Sequence, residues 1–286
     1  MSTRVSVWQV LRRPAFLALA PAVVLAGCTQ MKIDMGMRMN VAKLPVNRME
    51  VHLAKPQGVG PGQKASLVVT FTGPNGQTWR TEGAGRGAIM WEALTITSTV
   101  ATYNNDGTVS LPLDPRMSDG RTGHVVVTLA FNPDLRAEAD IPTRYDLNYY
   151  ADFNGNSGSS GNNVPGGRDG SSGGRAPDVT IRLVMHPGDR KLIEAEVEPE
   201  YGQETFYLID PDGGSLSVSA NGGPGGAGAS GPFGSGQDGT VGGRGRGGKI
   251  TVIYDPAVGS YLSVLQLSSL GGPEPVFISK QLDPLW

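Results

Sequence analysis

The residues with chemistry in their side chains are three histidines, a row of carboxylates, a run of methionines and two tryptophans beside a glycine-rich loop. His52, His124 and His186 stand far apart in the chain, and neither a nucleophile elbow nor an HExxH pair accompanies them. No catalytic residue is assigned. Glu194, Glu196 and Glu198 occupy alternate positions of an expected strand, so they face one side together. Such a row could hold calcium or cleave a glycoside. A solvated outer face opposite Ile193, Ala195 and Val197 is the simpler expectation. Residues 31–41 alternate apolar and polar side chains, and Met35, Met37 and Met39 stand on the apolar side. Thioether sulfur suits Cu(I), which makes these three a candidate metal site. The same alternation describes an edge strand packing on its own domain or on a partner, and no His or Cys lies nearby to complete a site. Trp79 and Trp91 flank the loop 82–87, where they would form a sugar platform or fill the gap between two sheets.

Other spacings fail on their surroundings. Gly243 to Gly248 with Lys249 has the outline of a phosphate loop, but Ile250 stands where Ser or Thr should hold magnesium, and a strand follows. Gly223, Gly225 and Gly228 have dinucleotide-fingerprint spacing with no helix to receive a pyrophosphate. Arg244-Gly245-Arg246-Gly247-Gly248 is one copy of an RNA-binding pattern. Asp152, Asn154 and Asn156 begin like a calcium loop, but Ser157 replaces its glycine and no Glu closes it.

The elements that would position any site follow from the glycines. In residues 221–250, Gly222, Gly225, Gly228, Gly231 and Gly234 recur every third residue. After a slip at Ser235 the count restarts with Gly236, Gly239, Gly242, Gly245 and Gly248. Period three belongs to the polyproline II helix, which needs Gly wherever another backbone presses against one face. Two rods of about 13 residues would each reach about 40 Å. An earlier stretch keeps the beat at Gly155, Gly158, Gly161, Val164, Gly167, Gly170 and Gly173, with shorter rods of about 20 Å expected. A flexible linker would show no fixed phase, and a collagen triple helix would carry more proline. Phe233 and Ser235 fall at the expected tip, with Arg244, Arg246 and Lys249 near the base.

The first 28 residues read as an address. Arg4, Arg12 and Arg13 precede a short apolar run, and Leu25-Ala26-Gly27-Cys28 follows. This resembles the lipobox of bacterial lipoproteins. The resemblance covers the export signal alone and implies cleavage before Cys28, lipidation there, and, with Thr29 next, an outer-membrane location. The membrane is thus an expected partner through the lipid. Beyond the signal, 21 basic residues face 26 acidic ones, a balance that argues against nucleic acid. With Cys28 lipidated no thiol remains for disulfides or metal.

Helical periodicity is nearly absent, and the expected fold is all-β. Residues 28–46 form a tether. Residues 47–145 are expected to form an immunoglobulin-like β-sandwich, with strands at 65–72, 94–101, 109–113 and 124–131 separated by Gly-Pro-Asn-Gly, Asn-Asp-Gly and Ser-Asp-Gly turns. Residues 146–286 are doubled: Leu147 and Ala151 match Leu216 and Ala220 at an offset of 69. Each half, 146–198 and 215–268, would run strand, glycine excursion, strand, turn, strand, and both hairpins would leave and re-enter one shared sheet. The expected function is a non-enzymatic envelope module without cofactor, an adhesin or accessory subunit that binds another envelope protein or a surface glycan. The alternatives are a carbohydrate- or peptidoglycan-directed lipoprotein using Trp79, Trp91 or the Glu194–Glu196 pair, and a copper-handling one.

Overall fold

The computed structural model describes residues 37–162, 168–229 and 239–286. It is all-β, with two regions that each enclose an apolar core between facing sheets. In the first region β1 (Arg48–Leu53), β2 (Lys64–Thr72), β6 (Thr108–Ser110) and β5 (Thr102–Tyr103) lie in that order. The strand β3 (Thr78–Arg80) also pairs with β2. Facing them is the antiparallel sheet of β4 (Leu94–Thr99), β7 (Gly123–Leu129) and β8 (Asn132–Ile141).

Alternation explains why these segments are strands. On β7 the residues Val125, Val127 and Leu129 are buried, and on β2 Leu67, Val69 and Phe71 meet them in one core. The expected turns hold, with Gly76, Gly107 and Gly120 each at positive φ where a side chain would be strained. The strand expected to run to Ala101 ends at Thr99, because Val100 takes a φ of 67° and turns the chain. No strand was expected at β8. Its signal was present, since Leu135, Ala137, Ala139 and Ile141 alternate with Asp134, Arg136, Glu138 and Asp140.

The second region begins with β9 (Asn148–Asp152) and has two sheets of different make. The larger runs in the order β12 (Thr205–Ile209), β11 (Ile193–Pro199), β10 (Val179–Met185), β14 (Ile250–Tyr254), β16 (Val276–Ser279). Its β10, β14 and β16 are parallel to one another, and β11 and β12 add as antiparallel hairpins. The smaller sheet, β15 (Leu265–Ser268), β13 (Ser215–Ser219) and β9, is wholly parallel. Ile181, Leu183 and Val252 from one sheet and Leu216, Val218 and Ala151 from the other fill the space between.

The doubling differs from expectation in two ways. Each glycine excursion leaves the small sheet and returns into the large one, instead of leaving and re-entering one sheet. A third unit also exists: β15, a turn over residues 269–275, then β16, added beside the second unit in both sheets. The expected match of β11 with β15 therefore fails. After β10 a tight turn, closed by the His186 N–H on the Leu192 carbonyl, keeps β11 in the same sheet. After β14 the nine-residue 3-10 segment Pro256–Val264, capped by Asp255, carries the chain across to the small sheet.

A seam joins the two regions. The Tyr145 hydroxyl lies 2.9 Å from Ser118 Oγ, and Arg190 donates to the Thr143 carbonyl and hydroxyl at 3.0 Å. The C-terminal segment runs back beneath the large sheet to it. There the Trp286 indole donates to Asp119 and stands edge-on to Phe206.

Candidate functional site

Four extended rods stand on the second region: residues 153–162 and 168–178 from the first excursion, 220–229 and 239–249 from the second. They are joined by main-chain hydrogen bonds at every third residue. The first rod donates from Gly155, Gly158 and Gly161 to the carbonyls of Asn221, Pro224 and Ala227 on the third. The third donates from Gly223, Gly226 and Ala229 to Gly174, Ser171 and Arg168 on the second. The second answers the first through Ser171 and Gly174, and reaches the fourth through Gly170, Gly173 and Ala176. The fourth closes on the third from Gly239, Gly242, Gly245 and Gly248. No rod glycine has a positive φ, so the chain keeps one extended conformation throughout.

The second and third rods occupy the shared diagonal of this bundle, and the glycine pattern follows from that position. A Cβ on Gly222, Gly225 or Gly228 of the third rod would stand 1.8–2.0 Å from a carbonyl oxygen of the fourth. A Cβ on Gly223 or Gly226 would stand 2.0 Å from one of the first. Only the remaining face is free, and it carries Pro224 and Ala227. The first rod, at a corner, needs one glycine per turn: Gly155, Gly158 and Gly161 would meet second-rod oxygens at 2.0–2.1 Å. The second rod, though also on the diagonal, needs one series: Gly170 and Gly173 would meet third-rod oxygens at 1.9 Å, while Ser171 carries a side chain in the other row.

The rods are also pinned by side chains. Asp169 accepts from the Thr240 N–H and hydroxyl at 2.7 and 2.9 Å, and these bonds hold its carboxyl below the usual range. Asn154 accepts from the Asn221 N–H, and Asp178 from the Lys249 N–H. The first excursion is not short: its rods run beside the second pair as far as Gly161 and Arg168. At about 3.1 Å per residue the third rod measures about 30 Å.

The sequence-predicted residues scatter through this architecture. Cys28, Met35, Phe233 and Ser235 lie outside the described residues. Arg244 donates to the Gly222 carbonyl at 2.9 Å, so its head is tied to the third rod, whereas Arg246 is exposed on the fourth. Trp91 is 5% exposed and packs on Tyr103 and Gly107, so it has no free face for a sugar. Trp79 is half-buried opposite Phe71 in the same core. The paired sugar platform is thus replaced by core packing. Met37 is exposed, while Met39 packs against the sandwich and bridges Ile89. Among the described residues of the expected strand, 37 and 38 form a bend, Met39 makes a single bridge, and Asn40 caps a 3-10 turn that buries Val41.

The carboxylate row is solvated at Glu198 but not at Glu194. Glu194 is fully buried, 2.9 Å from His186 Nδ1, and it accepts from the Leu285 N–H of the C-terminal segment. Arg182 bridges Glu196 and Glu198 at 3.0 and 2.9 Å. Asp152 is spent on Asn154 and Ser219, and the phosphate-loop and fingerprint glycines are rod residues. Among the described residues no group of three or more His, Cys, Asp or Glu could hold a metal ion. Among them, too, no helix is long and apolar enough to cross a membrane.

Sequence reasoning missed a cleft between the two regions. Leu113, Arg116, Tyr149, Tyr150, Glu204 and Phe206 line a space of about 560 Å³. Arg116 lies 3.7 Å over the Phe206 ring and keeps the Asp114 carboxyl below its usual range through their hydrogen bonds. Burial pushes the Tyr149 phenol up, and its ring leans on Tyr207 at 5.4 Å. Tyr150 points outward, 73% exposed. These residues come from three distant stretches, so no spacing announced them. No protein-family model matches the chain, and no curated protein is significantly similar to it.

Proposed function

We propose that this chain is a non-enzymatic outer-membrane lipoprotein, anchored through Cys28, whose four-rod bundle holds a binding tip away from the two sandwich regions. The observation that carries the reading is the ladder of main-chain bonds. It ties all four rods to one another as far as Ala229, which donates to Arg168 and accepts from Gly239. A bundle bonded along its length transmits position, which a loose glycine linker does not. The segment joining the third and fourth rods contains Phe233 and Ser235, and the partner is another envelope protein of an adhesive or surface assembly. Protease added to intact cells tests the exposed form. Cleavage between Ala229 and Gly239 before lysis supports it, and cleavage only after lysis places the bundle in the periplasm.

The interdomain cleft supports a second reading, a glycan-directed lipoprotein. An outward tyrosine ring beside Asn148, Gln203 and Glu204 is the kind of surface on which a sugar stacks and hydrogen-bonds. Tyr150→Ala should abolish retention on a glycan array if that reading is right, and leave it unchanged if the tip alone binds.

A further inference from the structure

We infer that the chain pairs with a second copy of itself through the free edge of β16. The three units add side by side, and repeat arrays need a polar or covered final unit. The final strand here is neither. Val276, Phe277 and Ile278 are 40, 49 and 43% exposed, and β14 is the one strand among the described residues that pairs with β16. Phe277 is in register with buried Val252, so its ring sits at the open mouth of the core, while Val276 and Ile278 share the outer face with Thr251 and Ile253. The other edges are treated differently. Phe206 on β12 is covered by Arg116 and Trp286, and the outer faces of β9 and β15 carry Asn148, Tyr150, Gln266 and Ser268.

The occupant follows from hydrogen-bond direction and charge. The Lys280 N–H donates to the Tyr254 carbonyl, so residues 276, 278 and 280 turn their main-chain groups toward β14. Phe277 and Ser279 therefore offer theirs to the free edge. An antiparallel partner with Phe277 opposite its own copy satisfies the Phe277 groups reciprocally and lets Ser279 N–H reach the partner's Pro275 carbonyl. The same register sets Val276 against Ile278 and Glu274 against Lys280, twice over by the two-fold axis. Opposite charges at both ends of an apolar centre make the strand complementary to itself, and the two large sheets become one. Proline at 273 and 275 limits the ladder to this short centre and discourages longer, open-ended pairing.

Cysteine cross-linking of the full chain in its native envelope tests this. In a hydrogen-bonded antiparallel pair, opposed Cα atoms lie about 5.5 Å apart, within disulfide reach. Phe277→Cys should give a covalent dimer on mild oxidation, and Ser268→Cys on the other sheet should not. In the Phe277→Cys background, Glu274→Lys or Lys280→Glu should slow cross-linking at least fivefold, and the two together should restore it. Circular dichroism verifies that each variant is folded. A Phe277→Cys variant that dimerises no more than the parent chain overturns the inference. So does a double charge exchange that fails to restore the rate, or a cross-link to a different protein.

Discussion

The first sandwich region and the rod bundle are both extended chain, yet they are held by opposite means. In the first, side chains from facing sheets interdigitate: Phe71, Leu67, Val125 and Ile141 are fully buried and fill the gap. In the bundle the side chains that would fill a core are missing because main chain touches main chain. The sandwich draws on apolar burial. The bundle draws on hydrogen bonds worth about 1 kcal/mol net each, against the large ordering entropy of glycine. Removing atoms should harm the first region, and adding them should harm the second.

The largest effect is expected from Gly225→Val. Its Cβ would stand 1.8 Å from the Gly242 carbonyl oxygen, so the third and fourth rods must part. Losing the bonds from Gly239, Gly242, Gly245 and Gly248 would cost on the order of 4 kcal/mol. Hydrogen exchange should report lost protection at these amides with β7 unchanged. Ala227→Val, on the free face of the same rod, should stay within about 0.5 kcal/mol and serves as the control.

Next comes the reverse experiment. Phe71→Ala should destabilise the sandwich by about 3–5 kcal/mol through the cavity it leaves, read from denaturant unfolding. Exchange protection in the bundle should persist. Equal loss in both regions would mean that they unfold as one unit and would break the comparison.

The smallest effects separate the regions by pH. In the bundle, Asp169 titrates below the usual aspartate range because of its bonds from Thr240. Its contribution is complete above the unfolded aspartate value and is lost as pH falls through the folded one. In the sandwich, the His124 ring lies between Asp140 and Glu138, whose hydrogen bonds raise its pKa. That contribution is complete below the unfolded histidine value and is lost as pH rises through the folded one. Acid should therefore lower the protection factor of the Thr240 amide relative to its intrinsic rate at the same pH, and mild alkali should loosen the strand pair β7–β8. Both groups are exposed, so both effects are modest.

Much of this was legible from residue spacing. Alternation located β2 and β7, turn residues located their ends, and the beat of three announced touching main chains. The third unit was legible too. Leu265, Leu267, Gly271, Gly272 and Pro273 repeat Leu216, Val218, Gly222, Gly223 and Pro224 at an offset of 49, the register in which β15 pairs with β13. That similarity is easily passed over, because a seven-residue turn replaces the long excursion. The cleft and the burial of Glu194 were not legible. Glu194 has the sequence context of an outer-face residue, yet it is buried between His186 and the backbone of Leu285, 91 residues away.

By itself, then, the sequence determined the conformation of each segment and the face that must stay bare, because strand alternation and glycine phase are local requirements of backbone geometry. Tertiary structure alone decided which rods are neighbours, which sheet each excursion leaves and which it enters, and which carboxylate loses its water. The reason is physical. A backbone N–H bonds equally well to any carbonyl within reach and in line with it, so a glycine face records that a neighbour exists without recording its identity.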